Sequence, residues 1–389
     1  MRSKTVISVF GTRPEAIKMA PVVHALGEIP GIDSRVCVTG QHRHLLDQAM
    51  GLFGIVPDYD LNLMKPSQTL FDITGGALGG LREVFAATGP DMVLVHGDTT
   101  TSMAAAMAAF YLKIPVGHVE AGLRSFDVNS PWPEEFNRRT IGSLAQLHFV
   151  PTEKARQNLL AENVRDVNIE LTGNTAVDAV QMIASRGDDF PAIRKLAGNR
   201  KIVLVTAHRR ENFGEPFSRI LQALRLYALR NPMMMLVYPV HPNPNITGPA
   251  HAALGDLTNV AMIPPVNYQE LVFLLRHCQF VLTDSGGIQE EAPTFGKPVI
   301  VLRENTERPE AIEAGTAVLV GSDPRKILLA MDVLTDETSG SYRQMSMVGN
   351  PFGDGRAAQR IATRVQRELG VEEAWSDESR LLVLEQASA

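Results

Sequence analysis

Short, nearly unbroken apolar runs recur along the chain, separated by longer stretches whose apolar residues return every three or four positions. The runs predict strands buried on both faces, and the stretches predict amphipathic helices. One set of strands is expected at Val6–Val9, Arg35–Thr39, Met92–Val95, Pro115–Val119, Leu147–Val150 and Ile169–Thr172. A second is expected at Lys201–Thr206, Met234–Val240, Val260–Ile263, Phe280–Thr283, Pro298–Leu302 and Ala317–Val320. Between them lie a helix from Glu15, which Pro21 should kink or restart, and a helix over Thr69–Ala87 with Leu70, Ile73, Ala77, Leu81 and Val84 on one face. Further helices are expected after Thr152, a residue suited to capping, and over Arg356–Leu369. Alternation of this kind marks βαβ units and parallel sheets.

The stretch Ser185–Arg200 breaks both periods and reads as a crossing between domains. Two α/β domains follow, 1–185 and 186–355, each a Rossmann-like parallel sheet, facing a common cleft. The helix over Thr69–Ala87 carries Gly75, Gly76, Gly79 and Gly80, which predicts either close approach of a neighbour or a flexible interface. A net charge of −6 advertises neither nucleic acid nor a membrane as partner. The longest apolar run, Met103–Leu112, is about half a membrane span. No leader pattern precedes the first strand, and Cys37 and Cys278 stand alone, so a reducing, cytoplasmic setting is expected. The acidic tail from Glu372 is expected to be partly disordered.

Ligands of open α/β sheets bind beyond the carboxyl ends of the strands, so the chemistry is sought there. Asp98 follows one run and Glu120 directly follows the next; Glu134 and Glu135 open a helix after Pro131-Trp132-Pro133. Several carboxylates in one place raise at least one pKa by repulsion, while Arg138 and Arg139 act the other way, a mixture suited to an acid and a base. Asp98 could instead cap the following helix, and Glu134 and Glu135 could complement its dipole. His96-x-Asp98 and His118-x-Glu120 also have the spacing of paired metal ligands on a strand. Asp284-Ser285-Gly286-Gly287 leaves a strand and enters a helix, where free N–H groups favour an anion, with Glu291 further along for sugar hydroxyls. Ser285 as a plain helix cap is the alternative. Arg13 and Lys18, after Gly11-Thr12, form a second anion candidate. His208, at a strand end before Arg209 and Arg210, could donate to a diphosphate or carry a proton. There is neither G-x-G-x-x-G nor a Walker A sequence, so nicotinamide and P-loop readings lose support.

These motifs, with Thr306-Glu307-Arg308-Pro309-Glu310 and Asn350-Pro351-Phe352-Gly353-Asp354-Gly355, resemble the bacterial non-hydrolysing UDP-N-acetylglucosamine 2-epimerases from about Thr5 to Leu369. The resemblance implies the glycosyltransferase-B fold, with the C-terminal helix (within 356–389) returning to the first domain. It implies reversible conversion of UDP-N-acetylglucosamine to UDP-N-acetylmannosamine for cell-surface polysaccharide synthesis, usually by a homodimer, with neither cofactor nor metal. Asp98, Glu120 and Glu134 would be the catalytic carboxylates, and His208 would contact the diphosphate. Arg13 and Lys18 would serve the nucleotide and its phosphates, Ser285, Gly286 and Gly287 the phosphate, and Glu291 the ribose. Arg138 and Arg308 would line the cleft. Leu271 stands where the family often places an aromatic in the uracil pocket. Many members bind a second, regulatory UDP-N-acetylglucosamine. Gln41, His42, Arg209 and His241 match that site, whereas His44 and Ser67 replace its Gln and Arg. A glycosyltransferase of the same fold, a silent UDP-sugar sensor, a hydrolysing epimerase and an epimerase of diacetamido uronic sugars are the competing readings.

Overall fold

The structure, a computed structural model, describes residues 2–40, 43–65 and 67–372. The chain divides into two compact units, one of residues 1–175 with 356–389 and one of residues 176–355.

The first unit is built on a seven-stranded, wholly parallel sheet. Its strands are β1 (Lys4–Phe10), β2 (Ile32–Val38), β3 (Tyr59–Asp60), β4 (Met92–His96), β5 (Val116–Val119), β6 (Leu147–Val150) and β7 (Ile169–Leu171), in the order β3-β2-β1-β4-β5-β6-β7. All five residues of β4 and all four of β5 are buried, which is why they read as apolar runs rather than alternations. The order reverses direction at β1 and β4, so the loops leaving those strands open where such sheets bind ligands.

The second unit repeats the plan with β8 (Lys201–Thr206), β9 (Met234–Pro239), β10 (Val260–Ile263), β11 (Cys278–Thr283), β12 (Val299–Val301) and β13 (Ala317–Leu319), ordered β10-β9-β8-β11-β12-β13. Strand alternation divides its core in two: Val203 and Val205 join the cluster on one face, Ile202 and Leu204 the cluster on the other. Truncating Ile202 or Leu204 to alanine costs about 2–5 kcal/mol.

Several expectations change on contact with the structure. The helix Arg13–Gly27 runs through Pro21 without a break. Pro21 is buried with Ala20 and Val22, and packing holds a helix that loses one backbone bond. The crossing into the second unit falls at Thr175–Ala176, not at 185. The helix Thr175–Ala184 belongs to the second unit because Val177 enters the same core cluster as Ile193, Phe273 and Leu274. The stretch read as a crossing itself contains the helix Pro191–Ala197. Two of the four glycines in Leu70–Thr88 have a packing reason: a Cβ on Gly80 would stand 2.9 Å from Leu61, and one on Gly76 3.5 Å from Leu63. Gly75 and Gly79 face open space. The helix Ala357–Glu368 packs on Arg13–Gly27 and buries Ala358, Ile361, Ala362 and Val365. The expectation of a disordered tail beyond Glu372 lies outside the described residues. No described helix is long and apolar enough to cross a membrane.

Candidate functional site

In the first unit, the loops after β1, β4 and β5 carry the charged cluster. Asp98 is not the cap of the helix Thr100–Tyr111; Thr99 is, accepting from the Ser102 N–H at 3.0 Å. The turn before it needs a left-handed residue, supplied by Gly97 with φ of 62°. That turn is pinned from three sides: Gly97 N–H donates to Val119 O at 2.9 Å, His118 Nε2 to Gly97 O at 2.7 Å, and Asn137 Nδ2 to Asp98 O at 2.8 Å. The Asp98 carboxylate meets Arg138 Nη2 at 3.0 Å. Its side chain keeps 28% of its surface open, yet protein crowds it on the remaining sides. Burial pushes its pKa up to about 6; Glu120 and Glu134 add to the rise, and Arg138 and Lys18 oppose it.

Glu120 leaves β5 with φ of 60°, a left-handed conformation uncommon outside glycine, so its side chain departs from the alternation of the strand. Its Oε2 takes the Lys18 ammonium and Asn174 Nδ2, the latter at 3.0 Å, and lies 3.7 Å from His96 Nε2. The two glutamates that open the helix Glu134–Leu144 differ in employment. Glu135 is fully buried and accepts from the N–H groups of Ser125 (2.9 Å) and Phe126 (3.2 Å) and from Arg139 (2.9 Å). Burial opposes its ionisation, but these donors and Arg138 hold its pKa below the usual carboxylate range. Glu134 stays half-buried beside Asp98. His118 and His148 face each other across β5 and β6. Burial depresses their pKa values to about 3 and about 4, so both are neutral and His118 serves the Gly97 turn.

A buried carboxylate joins two of these loops. Glu15 Oε2 accepts from the N–H groups of Gly11 (3.0 Å) and Thr12 (2.8 Å), and its Oε1 from Thr99 Oγ1 at 2.6 Å. The turn that presents half-buried Arg13 and the turn that presents Asp98 therefore share one anchor.

In the second unit, the corresponding loops after β8 and β11 come together at Asp284. Asp284, fully buried after β11, accepts from the N–H groups of His208 and Arg209, both at 2.8 Å, and from Asn212 Nδ2 at 3.1 Å. Ser285 precedes the helix Gly286–Glu291 but makes no side-chain capping bond. A Cβ on Gly286 would lie 3.8 Å from Arg308 Nη2 and 3.9 Å from Arg209 Nη2, so two guanidinium groups stand over this glycine. Arg308 is fixed in turn by buried Glu290 at 2.5 Å. Glu291 accepts from Tyr268 Oη at 3.1 Å. His208 stacks on His241 with ring centroids 5.7 Å apart. Burial lowers the His208 pKa, Asp284 opposes this, and His241 and Arg209 add to the lowering. Leu271 is half-buried against the sheet core.

The residues expected to act therefore gather in two groups. Lys18, Asp98, Glu120, Glu134 and Arg138 meet in the first unit; His208, Arg209, His241, Ser285, Gly286, Gly287 and Arg308 cluster in the second, with Glu291 further along the same helix. Lys18 is engaged by Glu120, not left open for phosphate alone. Gln41 and His42 lie outside the described residues. Asn137, Asn174 and Glu290 carry no signal in the motifs, Asp284 marks a motif without showing its anchoring role, and Glu15 marks only a helix start, although Thr12-x-x-Glu15 has the spacing of a capping box.

A family model described as UDP-N-acetylglucosamine 2-epimerase matches residues 24–366. The chain is 53% identical over 368 residues to a UDP-N-acetylglucosamine 2-epimerase of Salmonella typhimurium, covering 92% of this chain and 96% of that one. It matches the crystal structure of the Neisseria meningitidis UDP-GlcNAc 2-epimerase bound to UDP-GlcNAc at a TM-score of 0.85 and 46% identity, covering 93% of this chain and 100% of that one. The glycotransferase of kitacinnamycin shares the fold alone, at a TM-score of 0.65 and 16% identity over 95% of this chain and 100% of that one.

Proposed function

The chain belongs to the UDP-N-acetylglucosamine 2-epimerase family, and from that premise we propose how its residues divide the inversion at C2 of UDP-N-acetylglucosamine. The C2 hydrogen is not acidic, because no carbonyl carbon adjoins it. A base takes this proton while the C1–O bond breaks and UDP leaves with the bonding pair, giving 2-acetamidoglucal. UDP then re-adds to C1 as an acid protonates C2 from the opposite face, giving UDP-N-acetylmannosamine. The route needs a base and an acid on the two faces of C2 and strong stabilisation of the departing diphosphate.

Asp98, Glu120 and Glu134 supply the proton-transfer groups. The observation that carries this reading is Asp98 itself, raised to about 6 beside two further carboxylates, one of them paired with Lys18. A carboxyl group that titrates close to working pH gives and takes a proton readily. Arg13, Ser285, Gly286, Gly287, His208 and Arg308 serve the diphosphate, Arg138 orients Asp98, Glu291 serves the ribose, and Leu271 lines the base. The chain works in the cytoplasm as a homodimer, which sedimentation equilibrium would check.

The test is proton NMR of the enzyme with UDP-N-acetylglucosamine in deuterated water. Growth of UDP-N-acetylmannosamine, with deuterium entering C2 of both sugars, is the expected result. Free N-acetylmannosamine accumulating with UDP would move the reading to a hydrolysing enzyme. Epimerisation that retains the C2 hydrogen would remove the elimination route.

A further inference from the structure

Asn174 stands where the chain leaves the first unit, between Gly173 and a helix that belongs to the second. It is 3% exposed, and its amide donates to Glu120 Oε2 at 3.0 Å. A carboxylate can only accept, so the amide must present nitrogen to it. Glu120 needs such a tie. It has already left β5, its φ is positive, and no sheet pairing directs its side chain. Lys18 supplies charge to the same oxygen on a long, flexible stem; the Asn174 amide supplies direction on a short one. The segment just before Asn174 is itself held at Thr172. Thr172 N–H donates to Val150 O at 3.0 Å, and Arg360, from the helix Ala357–Glu368, donates to Thr172 O at 2.9 Å.

We infer that Asn174 is a positioning residue for the reaction at C2, fixing the Glu120 carboxylate and tying it to the segment through which the chain enters its second unit. The inference rests on the reading of Glu120 as a proton-transfer group. Misplacing a reacting group by about 1 Å costs roughly 100-fold. Asn174→Ala should therefore lower kcat by about 10- to 100-fold while KM moves less than about threefold, with UDP affinity preserved. Asn174→Asp keeps the size but sets a second carboxylate against Glu120, and like charges at this distance resist joint ionisation. The acid limb of its kcat profile should move up by about one pH unit.

Three enzymes are measured together by C2 deuterium exchange across pH: Glu120→Gln, Asn174→Ala and Asn174→Asp. Loss of exchange in Glu120→Gln with the two expected Asn174 results supports the inference. Wild-type kcat in Asn174→Ala, or an unmoved acid limb in Asn174→Asp, overturns it while leaving Glu120 in its role. Near-normal exchange in Glu120→Gln overturns the parent reading, and the inference with it.

Discussion

Asp98 and Asp284 occupy equivalent places and are put to opposite uses. β4 and β11 each pair with the first strand of their sheet on one side, β1 and β8, and with the next strand outward on the other. Each aspartate follows the carboxyl end of its strand. Asp284 is fully buried, and one oxygen receives three N–H donors, two of them from the backbone of the facing turn. Asp98 meets one side-chain cation and two carboxylate neighbours, and its pKa rises to about 6. The same slot yields a structural anchor where backbone donors converge and a titrating group where they are withheld. What a strand-end carboxylate does is decided by the donors around it, not by its position.

The largest test of this contrast is Asp98→Asn. It should lower the exchange rate by about 100- to 10,000-fold and leave UDP affinity intact, read by C2 deuterium uptake and calorimetry. Asp284→Ala should act on the fold instead. Three donors lose their acceptor, so denaturant unfolding should show a loss of about 2–5 kcal/mol. If its kcat collapsed at undiminished stability, the contrast would fail.

The next test separates the units by their histidines. His118 and His148 are buried in the first, whereas His208, His241, His251 and His277 of the second are exposed. The folded pKa values of about 3 and about 4 lie below the unfolded value, so the unfolded chain takes up protons first. Stability from these two residues is complete above about pH 6.5 and falls as pH drops, by ~1.4 kcal/mol per pH unit for each histidine. His148→Gln should flatten the pH dependence of denaturant unfolding between about pH 6 and 4. Equal slopes in variant and wild type would contradict the burial argument. The smallest effect is expected from Arg138→Gln. Arg138 holds the Asp98 pKa down, so its loss should raise the Asp98 titration from about 6 by about one pH unit at most, read by carboxyl NMR of the free enzyme.

Much of this was legible in the chain because parallel strands, buried on both faces, write themselves as apolar runs. The runs ending near His96, Val119, Thr206 and Thr283 led directly to Asp98, Glu120, His208 and Ser285. β3 was not legible: two residues at the sheet edge carry no period. Nor was the difference between Glu134 and Glu135, adjacent in one helical turn; burial of the second follows from the path of the Ser125–Phe126 loop, which no local pattern encodes. Pro21 does not restart the helix, because packing overrides a local breaker. The unit boundary was set late because the helix Thr175–Ala184 looks alike whichever core receives Val177.

The return of the helix Ala357–Glu368 to the first unit bears on synthesis at the ribosome. The second unit is one continuous stretch and can complete its core while the chain is still being made. The first unit cannot. Its helix Arg13–Gly27 waits, with the face that receives the helix Ala357–Glu368 uncovered, until those residues have been translated. The Arg360 contact that steadies the segment before Asn174 arrives equally late. The first unit is thus the last to be finished, and a nascent chain stalled short of this helix would hold every proposed proton-transfer carboxylate without the finished unit that positions them.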